Sequence, residues 1–278
     1  MQADAAPRTH RILQPPGRWP GLHPVELWRS RELLYILAWR DVKVRYKQAV
    51  LGAAWALLQP LIMVGVFTLL FGRIADIPTG GVPYPVFAFV ALVPWSLFAN
   101  ATAGSGNSLV ANEKLVSKVY FPRLAIPVGA VLAWIPDFLI SSVILFAIMA
   151  VFGFVPPPTA LLLPLVIVAA MIAALSVGIW LSALNVAYRD VQYAVPFLIL
   201  VWLFLTPVAY STASVPEQFR WLTGLNPMAW VIDFARWAML GTAVPWGVTG
   251  LSIATTAVLL LSGLYYFRRV EAFFADVI

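Results

Sequence analysis

The chain has 278 residues, of which 62% are apolar and only 11% charged, and its formal net charge is +6. Soluble domains carry about 25% charged and about 45–50% apolar residues, so this composition excludes a water-soluble globule and, equally, a disordered chain. The absence of cysteine removes disulfides, thiolate metal sites and cysteine nucleophiles. Both histidines, His10 and His23, fall in the N-terminal tail, so no histidine is available to hold a metal within the apolar spans. The positive charge does not read as a nucleic-acid surface. Most basic residues flank apolar runs, as membrane orientation requires.

The first 24 residues hold five prolines and no apolar run. They lack the apolar region of a secretory signal and read as a flexible cytoplasmic tail. Residues 31–47, RELLYILAWRDVKVRYK, place Arg40, Lys43 and Lys47 on one helical face, with Leu33, Leu37 and Val44 close by. Such a helix can lie in the bilayer interface, basic groups at anionic headgroups and apolar groups below them. The same pattern also serves as a plain basic flank.

A bilayer core about 30 Å thick needs about 20 apolar residues in a helix. Six stretches qualify: about 49–71, 84–111, 124–152, 159–188, 191–211 and 246–267. No charge occurs in the 51 residues between Asp137 and Arg189. One helix of that length would be about 77 Å long. Gly153 and the triplet Pro156-Pro157-Pro158 divide it into two spans. With the N-terminus inside, fifteen of the 18 basic residues lie on the cytoplasmic side, leaving Arg73, Arg220 and Arg236 outside. Both termini are therefore expected in the cytoplasm. Asp137 is the one acid within the spans. An intramembrane charge often marks function. Asp137 fits a proton relay, or a partner on a neighbouring helix.

Two connectors stand out. Residues 112–123, NEKLVSKVYFPR, predict a short cytoplasmic helix with Asn112 as N-cap, Glu113 in the first turn and Pro122 as the stop. Its aromatics suit docking to a partner or anchoring at headgroup level. Residues 216–241 are apolar, yet the segment from Met228 to Leu240 would rise only about 20 Å. Gly224 and Asn226-Pro227 divide the region, with Asn226 as N-cap and Pro227 at the first helical position. Asp233 and Arg236 stand three apart and can pair. This pattern fits a re-entrant hairpin, or an amphipathic helix on the outer surface.

Catalytic signatures are missing. There is no G-x-x-x-x-G-K-[ST] phosphate loop, no G-x-S-x-G elbow and no H-E-x-x-H. Aromatics make up 14% of the chain. Phe138, Phe146, Trp180, Trp202 and Phe204 lie deep in the spans. Deep rings either pack the core or line a path on which sugar faces can stack.

The chain resembles the membrane permease of type-2 ABC exporters, in the branch that exports lipid-linked polysaccharides such as O-antigen, capsule and teichoic acid. The matching stretches are WRDVKVRYKQAVLGAAWALLQPL at 39–61, LVPWSLFANA at 92–101, NEKLVSKVYFPRLAIPVGAV at 112–131, NVAYRDVQYAVPFLILVWLFLTPVAY at 185–210 and GLNPMAWVIDFARWAMLG at 224–241. They stand in the family's order, and the resemblance covers roughly residues 34–270. The resemblance implies an all-α polytopic membrane protein with six transmembrane helices. It adds an N-terminal interface helix, a cytoplasmic coupling helix and a re-entrant hairpin before the last span. Residues 25–278 would form this domain.

It further implies a homodimer working with two copies of a separate ATPase, which would hold ATP and magnesium, so that this chain carries no cofactor. Glu113, Lys114, Lys118, Tyr120, Phe121 and Arg123 would dock on that ATPase, and Tyr188, Arg189 and Asp190 would form a second, smaller contact. The substrate would be a lipid-linked glycan entering from the inner leaflet of the bacterial plasma membrane. Arg40, Lys43, Arg45 and Lys47 are candidates for binding its pyrophosphate, since both cations suit phosphate oxygens; membrane headgroups are the competing ligand. Trp180, Trp202, Phe204, Trp221, Trp230, Asp233 and Arg236 are candidates for the path or the hairpin. A permease for a small drug or lipid, and a membrane-embedded glycan-modifying or lipid-modifying enzyme, are the alternative functions.

Overall fold

The computed structural model describes residues 28–47, 52–118, 121–271 and 274, with the side chains of 52–57 left aside. The expected tail at 1–24, the first residues of the first span and Tyr120 lie outside the described residues. The described chain is helical throughout: α1 (Arg31–Lys47), α2 (Gly52–Phe67, continued by a π-helical stretch Thr68–Ile74), α3 (Tyr84–Ala111), α4 (Glu113–Lys118), α5 (Ala125–Leu132), α6 (Ile135–Val151), α7 (Leu163–Ala187), α8 (Val191–Leu205), α9 (Glu217–Gly224), α10 (Ala229–Leu240) and α11 (Trp246–Val270). Short 3-10 turns at Pro158–Leu162 and Thr212–Ser214 lead into α7 and α9.

Among the described residues, four stretches are long and apolar enough to cross a membrane: Tyr84–Ala111, Ala125–Val151, Pro158–Ala187 and Trp246–Val270. Leu58–Ile74 and Val191–Leu205 are shorter apolar helices. The stretch expected to run to Ser211 stops earlier because Pro207 forces Thr206 into extended backbone, at φ −93° and ψ 139°. The fifteen residues of α8 rise about 22 Å. The third expected span is bent, not straight. Pro136 cannot donate to the preceding turn, so α5 ends at Leu132 and α6 begins anew at Ile135. Gly153, at φ 65°, closes α6, and Phe154 N–H reaches back to the Met149 carbonyl at 2.8 Å. The predicted break before the proline triplet is therefore present.

Position in the bundle follows from side-chain size. α3 is the central helix and packs against α2, α5, α6, α7, α8 and α10. Its closest neighbour is α7, and the seam between them is built of small residues. A Cβ added to Gly178 of α7 would sit 2.6 Å from Ser105 Oγ, and one added to Gly106 of α3 would sit 3.1 Å from Leu181. In lipid, where apolar side chains gain nothing by leaving solvent, close backbone approach is the main source of helix–helix affinity. Asn185 secures the end of the seam, donating to the Gly106 carbonyl at 3.1 Å and to Asn107 Oδ1 at 3.0 Å.

α9 lies along α11, while α10 packs among α3, α7 and α11. Val231, Ile232 and Ala238 of α10 are fully buried. α10 is thus inside the bundle and not laid across its surface.

Gly178→Val should lower the unfolding temperature of the detergent-solubilised protein, with an overpacking cost of about 1–3 kcal/mol. Gly250→Ala, which meets open space, should leave that temperature within error in the same melt.

Candidate functional site

At one end of the bundle, α4 hangs between α3 and α5. Val116 is buried, while Glu113, Lys114 and Lys118 face outward. Asn112 does not cap α4 with its side chain. Its amide donates instead to the Ser108 carbonyl at 2.8 Å, and its backbone carbonyl accepts from Leu115 and Val116. Phe121 is half-buried and Arg123 turns inward, donating from its backbone N–H to Glu271 Oε1 at 3.2 Å and from its guanidinium to the Glu271 carbonyl. Tyr188, Arg189 and Asp190, in the turn between α7 and α8, are exposed. Leu109, Val116, Leu124, Phe267 and Phe274 join α3, α4, α5 and α11 in one apolar cluster at this end.

The four basic residues proposed for pyrophosphate separate on α1. Arg45 donates to Asp137 Oδ2 at 2.6 Å and to the Ala133 carbonyl at 3.2 Å, with its guanidinium 3.4 Å from the centre of the Trp134 ring. Tyr46 donates to the other Asp137 oxygen at 3.0 Å. Burial, together with that bond, pushes the Tyr46 phenol up to about 12, so it stays a donor at any physiological pH. Asp137 therefore has a basic partner, and the pair closes one wall of a cavity of about 500 Å³ between α2, α3, α6 and α8. Gln59, Ser96, Asn100 and Ser141 give that cavity its polar wall. Arg40 pairs with Asp41 at 2.8 Å, and Lys43 lies 5.7 Å from the Trp39 ring centre. Arg40, Lys43 and Lys47 are exposed.

At the opposite end of α11, Asp233 and Arg236 are 6% and 3% exposed. They do not form the expected ion pair. Asp233 accepts from Thr212 at 3.0 Å and Thr249 at 3.5 Å, while Arg236 donates to the Tyr210 and Val208 carbonyls at 2.9 and 2.8 Å. The Arg236 guanidinium also faces the Phe87 ring at 3.9 Å. Arg236 is thus spent on the irregular connector that follows Pro207, and Asp233 is shared between that connector and α11. Asn226 is not the N-cap of α10: the helix begins at Ala229 with Met228 at its N-cap, Pro227 lies in the turn before it, and the Asn226 side-chain oxygen accepts from Met228 N–H at 2.9 Å within that turn. Asn226 also accepts from Trp202 Nε1 at 3.1 Å and donates to Thr206 at 2.8 Å.

Of the other aromatic candidates, Trp180 is fixed between α7 and α11. It donates to the Leu259 carbonyl at 3.0 Å and stacks on Tyr266 at 4.8 Å. Trp230 donates to Thr256 at 3.0 Å. Phe204 and Trp221 are exposed. Sequence reading missed Tyr46 and Glu271. Glu271 carried a signal, its i,i+3 spacing from Arg268; Tyr46 carried none.

A bundle of apolar helices, with four stretches among the described residues long enough to cross a bilayer, is the architecture of a polytopic membrane protein. The family model described as "ABC-2 type transporter" matches residues 32–240, and the chain belongs to that family. It is a multi-pass membrane protein and the membrane part of such a transporter, not its ATPase. It is similar to the O-antigen export system permease protein RfbA of Klebsiella pneumoniae, 27% identical over 89% of this chain and 95% of that one. The Myxococcus xanthus protein of the same name is 29% identical over 88% and 96%. The polysialic acid transport protein KpsM of Escherichia coli is 25% identical over 84% and 91%.

Arg45→Gln and Asp137→Asn should each destabilise the detergent-solubilised chain. The pair is partly screened, so a double-mutant cycle should give a coupling of about 1 kcal/mol. Strict additivity in thermal unfolding would mean that the 2.6 Å contact contributes nothing.

Proposed function

We propose that this chain is the permease subunit of an ATP-driven exporter that carries a lipid-linked, O-antigen-like polysaccharide from the cytoplasmic side across the bacterial plasma membrane. It acts as a homodimer with two copies of a separate ATPase that binds ATP and magnesium. The observation that carries this reading is the near end-to-end similarity to proteins named for O-antigen export and polysialic acid transport.

Residues 25–278 form the transmembrane domain, with six spans and with residues 1–24 and the C-terminus in the cytoplasm. The spans include the short helices α2 and α8, because a short apolar helix can be accommodated by local bilayer thinning. α1 lies in the inner-leaflet interface as the interface helix. Its outward Tyr35, Ile36, Trp39 and Val44, all exposed, support that setting. The α9–α10 hairpin is re-entrant from the outer side; the burial of α10 supports this, since such backbone is tolerated at membrane depth only within protein or along a wet cavity.

α4 is the coupling helix. Glu113, Lys114, Lys118, Tyr120 and Phe121 dock on the ATPase, and Tyr188, Arg189 and Asp190 add a second contact. Arg123 supports the same element from within. α3 has 78% of its most apolar window buried among its neighbours, so one copy offers a polymer no route through its centre. The path runs between two copies, past the exposed apolar faces of α2 and α8. Phe204 and Trp221 are the aromatic candidates best placed by exposure to meet sugar, while Trp202, Trp230, Asp233 and Arg236 hold the hairpin in place and Trp180 holds α7 to α11. Arg40, Lys43 and Lys47 bind the lipid pyrophosphate at the inner leaflet, and Arg45 holds their helix to α6.

The test is co-purification with the cognate ATPase followed by substrate-stimulated ATP hydrolysis. Tyr120→Ala combined with Phe121→Ala should leave hydrolysis running without export. Wild-type export by that variant would rule out α4 as the coupling helix. Arg40→Glu with Lys43→Glu should weaken binding of the lipid-linked substrate by about tenfold, the loss of about 1.4 kcal/mol. Unchanged binding would exclude the pyrophosphate role.

A further inference from the structure

α11 is attached at one end to the segment after α4 and at the other to the α9–α10 hairpin. At the α4 end, Glu271 follows directly on α11. It accepts from the Arg123 N–H at 3.2 Å and, through its carbonyl, from the Arg123 guanidinium, while its other oxygen pairs with Arg268 at 3.0 Å. The clasp is largely sheltered, with the Arg268 and Glu271 side chains 11% and 18% exposed. Below it, Phe267 packs edge-to-face on Phe274 at 5.2 Å, in the cluster that also contains Val116 of α4. The segment that follows α4 is therefore fastened to the end of α11 by charge, backbone and apolar contact together.

At the other end, the hydroxyls of α11 satisfy the carbonyls that the hairpin leaves open. Ser252 donates to Asn226, Thr255 to Gly224 at 3.1 Å and Thr256 to Pro227 at 3.2 Å. The Trp230 N–H and indole donate back to Ser252 and Thr256 at 3.2 and 3.0 Å. A Cβ on Gly224 would lie 2.7 Å from Leu251. Between these two attachments the helix is uninterrupted. α2, α3 and α8 carry interior prolines at Pro60, Pro94 and Pro196, whereas the sequence of α11 contains none. A helix without proline lacks the commonest cause of a kink. α11 rises about 37 Å over its 25 residues.

We infer that Glu271 is a positioning residue. It clasps the segment after α4 to α11, and α11 carries the displacement of α4 as a rigid rod to the α9–α10 hairpin at the far end. This rests on the proposed docking of an ATPase at α4. The two ends have distinct attachments, so breaking one tests transmission without touching the other.

The native chain has no cysteine, so single cysteines report without further changes. Phe219→Cys on α9 and Ser117→Cys on α4, both at exposed positions, are made separately. Each is purified with the cognate ATPase in lipid nanodiscs and labelled with a soluble maleimide, with and without ATP and vanadate. The expected result is a nucleotide-dependent change in labelling rate at both sites, by about fivefold or more, the lower end of typical coupling between sites.

Adding Glu271→Ala together with Arg123→Ala, which removes both the carboxylate and the guanidinium of the clasp, should abolish the change at residue 219 and keep it at residue 117. Glu271→Gln retains an acceptor for the Arg123 N–H and should restore part of the response at 219. Should the double alanine variant fail to assemble, Arg123→Ala alone removes the guanidinium from the residue-271 carbonyl while its backbone N–H keeps the carboxylate, and should weaken the response at 219 while keeping that at 117. A response at 219 that survives the double alanine variant at full size overturns the inference. So does a native complex in which 117 responds and 219 does not. Loss of response at both sites in the native complex overturns the docking of the ATPase at α4, and the rod with it.

Discussion

The close approach of α3 and α7 is the contact on which the rest of the architecture depends. Within a bilayer no hydrophobic gain comes from pushing two apolar helices together, because lipid is as apolar as leucine. Affinity must come from contact area and fit. Gly178 and Gly106 remove the side chains that would hold the backbones apart, and Asn185 pins the register at one end. Once α7 is seated there, α11 has a wall to lie against and the hairpin has a slot between α3, α7 and α11. Replacing either glycine by a larger residue disturbs every later layer.

Composition and run length made the class of protein legible, since a chain with 11% charge has few folds open to it. Proline and glycine made most of the breaks legible too: the turn after α6 and the division of the hairpin lie where those residues stand, whereas the cap expected at Asn226 falls two residues later, at Met228. The positions of the ends of α8 and α5 were not legible, though both had a signal in Pro207 and Pro136. Apolar run length counted those residues as spanning, but proline acts on the residues before it. A hydropathy window averages over that effect.

Long-range polar partners were illegible for a different reason. Asp233 and Arg236 invite pairing by their spacing. What decides their partners is the irregular chain between Thr206 and Thr212, whose carbonyls lie nearer to Arg236 than any carboxylate does. Asp137 looked isolated because Arg45 stands 92 residues away in sequence. Local spacing reports helix faces and cannot report which face of a distant helix arrives opposite. Glu271 falls between the cases: its link to Arg268 is local, and its link to Arg123 is not.

These partners share one physical logic. A charge in an apolar bundle is costly unless something satisfies it, and an unpaired backbone carbonyl carries a similar cost. The protein sets one deficit against the other. Arg236 faces the carbonyls after Pro207, Arg45 faces the carbonyl freed where α5 ends, and Arg123 faces the carbonyl at the end of α11. Arg45 and Arg123 thus sit where a helix stops, and there each cation also meets the negative end of the helix dipole, while Arg236 serves the irregular connector beyond α8. Helix ends are the places at which a bundle can change shape, because their backbone bonds are not fixed by the ladder. The contacts that make the resting bundle stable tie one helix end to the next element, as Arg123 and Glu271 tie the segment after α4 to α11.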